Sequence, residues 1–309
     1  MKKEVKDRLN KLMPGRVQFN AGLAPLTTFR LGGPAAALAE PDSMEELTGL
    51  LEVLRQSGQP WFILGGGSNV LFRDGGFKGV VLRLGRHFSK VTVTGADGPD
   101  VFVEAGAAAP TASLVRLCRR QGLAGLEFLA GIPGWIGGAL AMNAGAQSGQ
   151  ICQAVTRIDL MTPDQGLLAL SGPDIKAVYR SLELPEGAVI LKAAFRLKQS
   201  RPEAVEALVR DILARRRAGQ PQGVRSAGCI FRNPVGDAAG RLIDQAGLKG
   251  RRQGQAWVAR EHANFIVHRG QARSEDVVGL VETVRSEVKA RFGVDLEPEI
   301  KIVGSDVET

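Results

Sequence analysis

Apolar residues recur at three- and four-residue intervals in several stretches of the chain, the spacing that lines one face of a helix. Across residues 43–54, Leu47, Leu50, Leu51 and Leu54 form one stripe; Ser43 and Glu46 make a capping box, and Gly58 closes the helix. Residues 110–121 turn Leu114, Val115, Leu117 and Cys118 inward, and residues 203–217 do the same with Val205, Leu208, Val209, Ile212 and Leu213. A long helix over residues 274–292 is N-capped by Ser274, with Glu275 and Asp276 in its first turn. Residues 2–13 read as a short polar helix and residues 240–246 as another short one.

Between these lie runs with strand character, β-branched or alternating and bounded by turn residues. They are residues 61–64 (expected to be buried), 80–84, 91–95, 101–106, 157–161, 189–197 and 264–268; residues 27–33 read as an extended segment ending in a turn. Helices and strands mix without βαβα regularity, which predicts an α+β fold rather than a doubly wound parallel sheet. Residues 221–225 form a candidate domain boundary, and no internal repeat is present.

Composition narrows the class. The chain has 309 residues, 44% hydrophobic and 23% charged, a balance that fits a folded globular protein. Residues 1–16 are charged throughout and lack a hydrophobic segment of signal-peptide type, so a cytoplasmic location is expected. Cys118, Cys152 and Cys229 are isolated and odd in number, which argues against a disulfide framework. There is no CxxC or HExxH spacing, and no metal site is expected. The net charge of +8 invites a nucleic-acid reading. The basic residues are spread along the chain, however, and aromatics make up only 5%, too few for a base-stacking platform. The one tight basic run, Arg215, Arg216 and Arg217, ends a predicted helix, where positive charge suits the dipole.

Two glycine-rich stretches carry the candidate chemistry. Residues 122–149 hold eight glycines among 28 residues and one charge, Glu127. Glycine lets backbone N–H groups approach and point at an anion, so the stretch is read either as a ligand cradle or as tight backbone packing. Its Leu126, Phe128, Leu129, Ile132, Trp135, Ile136 and Leu140 are expected to be buried. The second stretch, Gly65-Gly66-Gly67-Ser68-Asn69, follows a predicted strand but is not a dinucleotide fingerprint: Val70 stands where the last glycine of G-x-G-x-x-G belongs. A turn and another strand follow instead of a helix, and no P-loop sequence exists. If this segment binds phosphate, it does so as a loop between strands.

Eight motifs in order then carry a resemblance over residues 19–303. They are residues 27–33, 63–72 (ILGGGSNVLF), 125–145, Tyr179-Arg180-Ser181, 226–234 (SAGCIFRNP), 240–250 (GRLIDQAGLKG), 262–267 (HANFIV) and 296–299 (LEPE). In these the chain resembles the flavoprotein family of UDP-N-acetylenolpyruvoylglucosamine reductases, which act in peptidoglycan precursor synthesis. The resemblance implies a two-subdomain FAD-binding fold of the PCMH/VAO-like type with a smaller C-terminal α+β substrate domain. The expected ranges are 1–18 for an N-terminal helical appendage, 19–84 and 85–220 for the two FAD subdomains, and 221–309 for the substrate domain. Room for the tyrosine-loop insertion of some members is lacking between Tyr179-Arg180 and residues 189–197, so the chain resembles the shorter type.

The implied reaction uses FAD and NADPH to reduce UDP-N-acetylglucosamine enolpyruvate to UDP-N-acetylmuramate, with hydride reaching C3 and a protein acid protonating C2. Arg180 matches the family's catalytic arginine and would pair with the substrate carboxylate. Glu299 matches its C-terminal glutamate beside that carboxylate. Cys229 stands at the proton donor's position, which is serine in many members; a thiol with an ordinary pKa of about 8.5 is the better acid. Tyr179, Arg217, Asn233 and His262 fall at or near substrate-contacting positions. Gly65, Gly66, Gly67, Ser68 and Asn69 would present donors to the FAD pyrophosphate. Ile132, Gly134, Gly137, Gly138, Ala139 and Gly145 would line the flavin. The resemblance implies a monomer with a small-molecule substrate and neither nucleic acid nor membrane as partner. An alcohol or sugar oxidase on the same fold is the competing reading, and SAGCIFRNP and LEPE favour the reductase.

Overall fold

The computed structural model describes residues 1–146 and 149–307; Gln147 and Ser148 of the glycine-rich stretch lie outside the described residues. The chain forms two compact units. The first comprises Met1–Gln18, Ala37–Gly66 and Gly79–Arg216; the second comprises Phe19–Ala36, Gly67–Lys78 and Arg217–Thr309. Helices and strands are mixed in an α+β arrangement. Among the described residues no helix is long and apolar enough to cross a membrane.

In the first unit, helix α1 (Lys3–Leu12) is polar in composition yet buries Val5 and Leu9, with Met13 just beyond it. It packs on α2 (Met44–Ser57), where a Cβ at Gly49 would come within 2.6 Å of Leu12 Cδ1. Ser43 Oγ accepts the Glu46 N–H at 3.2 Å, while the Glu46 carboxylate accepts the N–H of Asp42 rather than that of Ser43. Gly58 ends α2 with φ +59°. The main sheet is antiparallel, in the order Gly166–Ser171, Val155–Thr162, Val189–Gln199, Asp100–Gly106, Val91–Asp97, with Leu123–Ala124 pairing the end of Val189–Gln199. Leu191, Ala193, Phe195 and Leu197 of the central strand alternate into the core, the period-two burial of a pleated strand. Helices α3 (Thr111–Gln121), α4 (Ile136–Ala141) and most of α5 (Pro202–Gly219) complete the unit.

Three expectations change here. Residues 61–64 do not form a buried strand: Trp61 and Phe62 are half-buried and Ile63 is 38% exposed. Trp61–Ile63 ends its sheet and, among the described residues, pairs only with Phe77–Leu82. Leu208 is 52% exposed, because α5 buries a narrower stripe of Val205 and Val209. Between residues 161 and 189 lies a further strand, Gly166–Ser171, beyond those expected from the sequence, whose residues are half-buried at best.

The second unit has its own core. Helix α7 (Ser274–Phe292) buries Val277, Leu280, Val281, Val284 and Val288 against Ile230, Phe231, Ala256, Val258 and Ile266, together with Leu242 and Ile243 of α6 (Ala239–Gln245). Arg252–Gln253, Ala256–Val258 and Ile266–Val267 form a small antiparallel sheet, so the expected strand at 264–268 is only two residues long. Val70–Phe72 pairs in parallel with Lys301–Val303. Residues 27–33 are irregular rather than extended: Arg30 has φ +54° and Gly32 φ +111°, and a Cβ at Gly32 would meet Phe72 Cβ at 2.5 Å. His268, fully buried, holds this segment. Gly270 N–H donates to His268 Nδ1 (3.0 Å), which leaves the proton on Nε2 to be donated to Phe29 O (2.7 Å).

Ser274 is the first residue of α7 rather than its cap. Its capping partner lies 200 residues earlier in the chain: Asp74 accepts the Ser274 N–H at 2.9 Å, and Ser274 Oγ accepts the Asp74 N–H at 2.9 Å. Asp74→Ala removes one half of this reciprocal pair. It is expected to cost about 1 kcal/mol and to lower the melting temperature by about 2–4 °C in a thermal denaturation scan. An unchanged scan would deny the pair any share in holding α7.

Candidate functional site

The glycines fall into two groups in the first unit. A Cβ at Gly66 would meet Gly134 Cα at 2.7 Å, one at Gly137 would meet Ala107 Cβ at 2.9 Å, and one at Gly145 would meet Gly149 O at 2.5 Å. These three are required by backbone packing. Gly65 and Gly138 differ. A Cβ at Gly65 would find nothing closer than 3.8 Å, and one at Gly138 nothing within 4 Å. Leu64 N–H makes the last ladder bond, to Leu82 O at 2.8 Å; the N–H groups of Gly65, Gly66 and Gly138 donate to no backbone carbonyl among the described residues. The packing reading of residues 122–149 accounts for Gly134, Gly137 and Gly145 and leaves Gly138 unexplained by packing. N–H donors without a backbone acceptor among the described residues have the chemistry to meet an anionic group.

The supporting framework is fixed. Thr111 Oγ1 donates to Ile132 O at 2.7 Å, Thr111 N–H donates to Gly134 O at 3.0 Å, and Ile136 and Gly137 donate to Ala109 O and Ala107 O. Ile132 and Trp135 are half-buried rather than buried as expected, with the Arg83 guanidinium 4.5 Å from the centre of the Trp135 ring. Ala139 is 8% exposed, and its N–H is committed to Trp135 O.

Arg180 sits in the turn between Ala177–Val178 and Ser181–Leu182 with φ +58°, a conformation that non-glycine residues rarely adopt and that concentrates at functional sites. Its Nη1 donates to Gly145 O at 3.1 Å, and its guanidinium lies 5.4 Å from the centre of the Tyr179 ring, which is 44% exposed. Asn143, buried in the same unit, donates from Nδ2 to Val178 O at 2.9 Å.

In the second unit three segments converge. Glu299 N–H donates to Ile230 O at 2.7 Å, which places Glu299 beside the Ile230–Phe231 peptide, one residue past Cys229. Asn69 Nδ2 donates to Glu299 O at 3.0 Å, and Lys301 N–H donates to Asn69 O. Asn69 thus uses its side chain to fix the glutamate segment. Gly67 (φ +64°) lies against Leu26 O, where a Cβ would come within 2.0 Å. Cys229 is half-buried. Burial pushes the thiol of Cys118, in the interior, up to about 12 and that of Cys152, half-buried like Cys229, to about 11, which keeps both protonated near neutral pH. Asn233 Oδ1 accepts the Ala239 N–H at 3.0 Å at the start of α6. His262 packs edge-on to Phe265, and its Nδ1 accepts the Asn264 N–H at 3.3 Å. Arg217 lies exposed near the end of α5.

Two asparagines were missed by the sequence reading. Asn264, 3% exposed, accepts the Phe231 N–H and donates to Phe231 O, pinning the Cys229 loop to the HANFIV segment. Asn143 does a comparable job near Arg180. The available signal was an amide inside an otherwise apolar run, a residue that must find partners when buried.

Comparison with known proteins adds to this geometry. Residues 220–303 match the family described as UDP-N-acetylenolpyruvoylglucosamine reductase, C-terminal domain, and residues 35–171 match an FAD binding domain. The UDP-N-acetylenolpyruvoylglucosamine reductase of Syntrophus aciditrophicus (strain SB) is 42% identical over 302 residues, covering 98% of this chain and 96% of that protein. That of Geotalea uraniireducens (strain Rf4) is 40% identical over 307 residues, covering 99% and 100%. The crystal structure of UDP-N-acetylenolpyruvylglucosamine reductase from Thermus caldophilus superposes with a TM-score of 0.80 at 35% identity, covering 93% of this chain and 98% of that one.

The two histidines of the second unit give a pH dependence. Burial holds both His262 and His268 below the usual imidazole range; a neighbouring Lys249 charge acts in the same direction on His262, and the Phe29 carbonyl opposes it at His268. With folded values depressed, the neutral rings contribute stability that is present above the unfolded value of about 6.5 and lost as the pH falls through the folded values. Urea denaturation is therefore expected to give lower stability at about pH 5.5 than at about pH 7.5, with a smaller difference in His268→Gln. An equal difference in that variant would assign the loss to other groups.

Proposed function

Because this chain belongs to the UDP-N-acetylenolpyruvoylglucosamine reductase family, an FAD-dependent oxidoreductase family acting in peptidoglycan precursor synthesis, we propose that it reduces UDP-N-acetylglucosamine enolpyruvate to UDP-N-acetylmuramate through Arg180, Cys229 and Glu299. The observation that supports the pairing of Cys229 with Glu299 is the convergence of Asn69, Glu299 and the Ile230–Phe231 peptide next to Cys229, segments far apart in sequence joined by direct hydrogen bonds. FAD, when bound, supplies the hydride that it takes from NADPH and that ends on C3 of the enolpyruvyl group.

The chain's own residues do the rest. Gly65, Gly66 and Gly138 offer their N–H groups to the cofactor, with Gly67, Ser68 and Asn69 continuing the same loop. Ile132, Gly134, Gly137, Ala139 and Gly145 form the largely uncharged wall that keeps water from the reacting atoms. Arg180 pairs with the substrate carboxylate and stabilises the negative charge that develops as C2 gains enolate character. Glu299 stands beside that carboxylate and shares a proton or a hydrogen bond with it. Cys229 delivers its proton to C2, completing the reduction. Tyr179, Arg217, Asn233 and His262 contact the rest of the sugar nucleotide. Residues 19–84 and 85–220 serve the cofactor, and 221–309 the substrate. The enzyme works as a cytoplasmic monomer.

Purified protein is expected to be yellow, with flavin absorbance that NADPH bleaches anaerobically and that UDP-N-acetylglucosamine enolpyruvate restores. A preparation that NADPH bleaches but that only oxygen restores would favour an oxidase. Cys229→Ser should retain substantial turnover. Cys229→Ala should lose about 10²–10⁴-fold in turnover while still being bleached by NADPH at the parental rate. Normal turnover in the alanine variant would remove Cys229 from the mechanism.

A further inference from the structure

Asn143 is 2% exposed and has φ +38°, in the left-handed region that asparagine tolerates better than most residues. Its carboxamide reaches three separate groups: Nδ2 donates to Val178 O at 2.9 Å and to Gln150 Oε1 at 2.7 Å, and Oδ1 accepts the Cys152 N–H at 3.3 Å. Only an amide meets this set, because the partners demand donors on one side and an acceptor on the other. Aspartate would put a second oxygen against two oxygens, and an apolar residue would remove all three bonds.

Val178 is the residue immediately before Tyr179-Arg180. Two residues beyond Asn143, Gly145 O accepts Arg180 Nη1 at 3.1 Å. Residues 143–145 therefore hold the turn at two points, its backbone at the base and its guanidinium at the tip. The turn needs such support. Its strands, Ala177–Val178 and Ser181–Leu182, contribute two residue pairs, and Val178 is 67% exposed. A hairpin this short does not fix its own geometry, and Arg180 holds a positive φ within it.

We infer that Asn143 is a positioning residue for Arg180: through the Val178 carbonyl it fixes the turn so that the guanidinium is presented to the substrate carboxylate. The inference rests on the reading of Arg180 as the carboxylate-binding arginine. It assigns to Asn143 a role in the half of the reaction that consumes the enolpyruvyl substrate and none in the half that consumes NADPH.

The test separates the two halves by rapid mixing of the FAD-loaded full-length protein. Asn143→Gly accommodates the backbone and deletes the side chain. Asn143→Asp keeps the shape, the tolerance of positive φ and the acceptor for Cys152, and removes the donors to Val178 and Gln150. Both variants are expected to bind FAD and to be bleached by NADPH within about twofold of the parent. Reoxidation by UDP-N-acetylglucosamine enolpyruvate is expected to slow by about 10- to 100-fold, the size of effect that a misplacement of about 1 Å produces. Arg180→Ala should slow the same step, and adding Asn143→Gly to it should slow it no further. Equal losses in both half-reactions, lost flavin, or a multiplied loss in the double variant would make Asn143 a purely structural residue and overturn the inference. A slow Arg180→Ala beside a normal Asn143→Gly overturns the inference alone. Unchanged reoxidation in Arg180→Ala overturns the reading of Arg180, and the inference with it.

Discussion

Gly66 lies so close to Gly134 that no side chain fits between them, with a Cβ position only 2.7 Å from the opposing Cα. The backbone around Gly65 and Gly138 in the first unit depends on this approach. Gly134 has no room to retreat, because its carbonyl accepts the N–H of Thr111, where α3 begins, and the Thr111 hydroxyl reaches both Gly134 O and Ile132 O. An alanine at residue 66 would have to displace the start of a helix rather than a flexible side chain. Beside this contact, the N–H groups of Gly65 and Gly138 donate to no backbone carbonyl among the described residues, and a Cβ at Gly138 would meet open space. The packing glycines hold these N–H groups in place for the proposed cofactor contacts.

Elsewhere the segments that carry the assigned chemistry are tied by asparagine amides rather than by regular sheet. Asn69 holds the glutamate segment, Asn264 holds the cysteine loop through both polar groups of Phe231, and Asn143 holds the arginine turn. A carboxamide donates and accepts at once, so one side chain substitutes for a stretch of ladder between segments too short or too irregular to pair. The arrangement is also unforgiving. A buried partner left unpaired costs about 1–3 kcal/mol, so each of these positions couples local stability to the placement of a functional side chain.

Much of this was legible in the chain. The stripe and cap at residues 43–57, the helix Ser274–Phe292 and the α+β class all follow from spacing and capping chemistry, and the ordered motifs carried the family. What escaped was set by distant partners. The cap of α7 comes from Asp74, 200 residues away, which no local pattern encodes. Leu208 fits an apolar stripe but faces solvent, because periodicity specifies a face and not how widely that face is covered. Gly166–Ser171 alternates in exposure but not in residue type, since Leu167 and Ala169 stand on its exposed face and, at the end of its sheet, neither side is fully buried. Among the site residues, the glycines were found by composition, but composition treats all of them alike. Only the positions of neighbouring atoms separate Gly66 and Gly145, which pack, from Gly65 and Gly138, which do not.

The cysteines show the same limit from the side of chemistry. By residue type the three are equivalent, and each is isolated in sequence. Burial raises the thiols of Cys118 and Cys152 to about 12 and about 11, which keeps them protonated near neutral pH. Cys229 is half-buried and follows Gly228, which has φ +77° and open space where a Cβ would stand. A thiol that acts as an acid must reach the carbon it protonates, and a neighbour with no side chain in a left-handed turn leaves that approach unobstructed. In the proposed mechanism the backbone next to Cys229 therefore matters as much as the thiol itself.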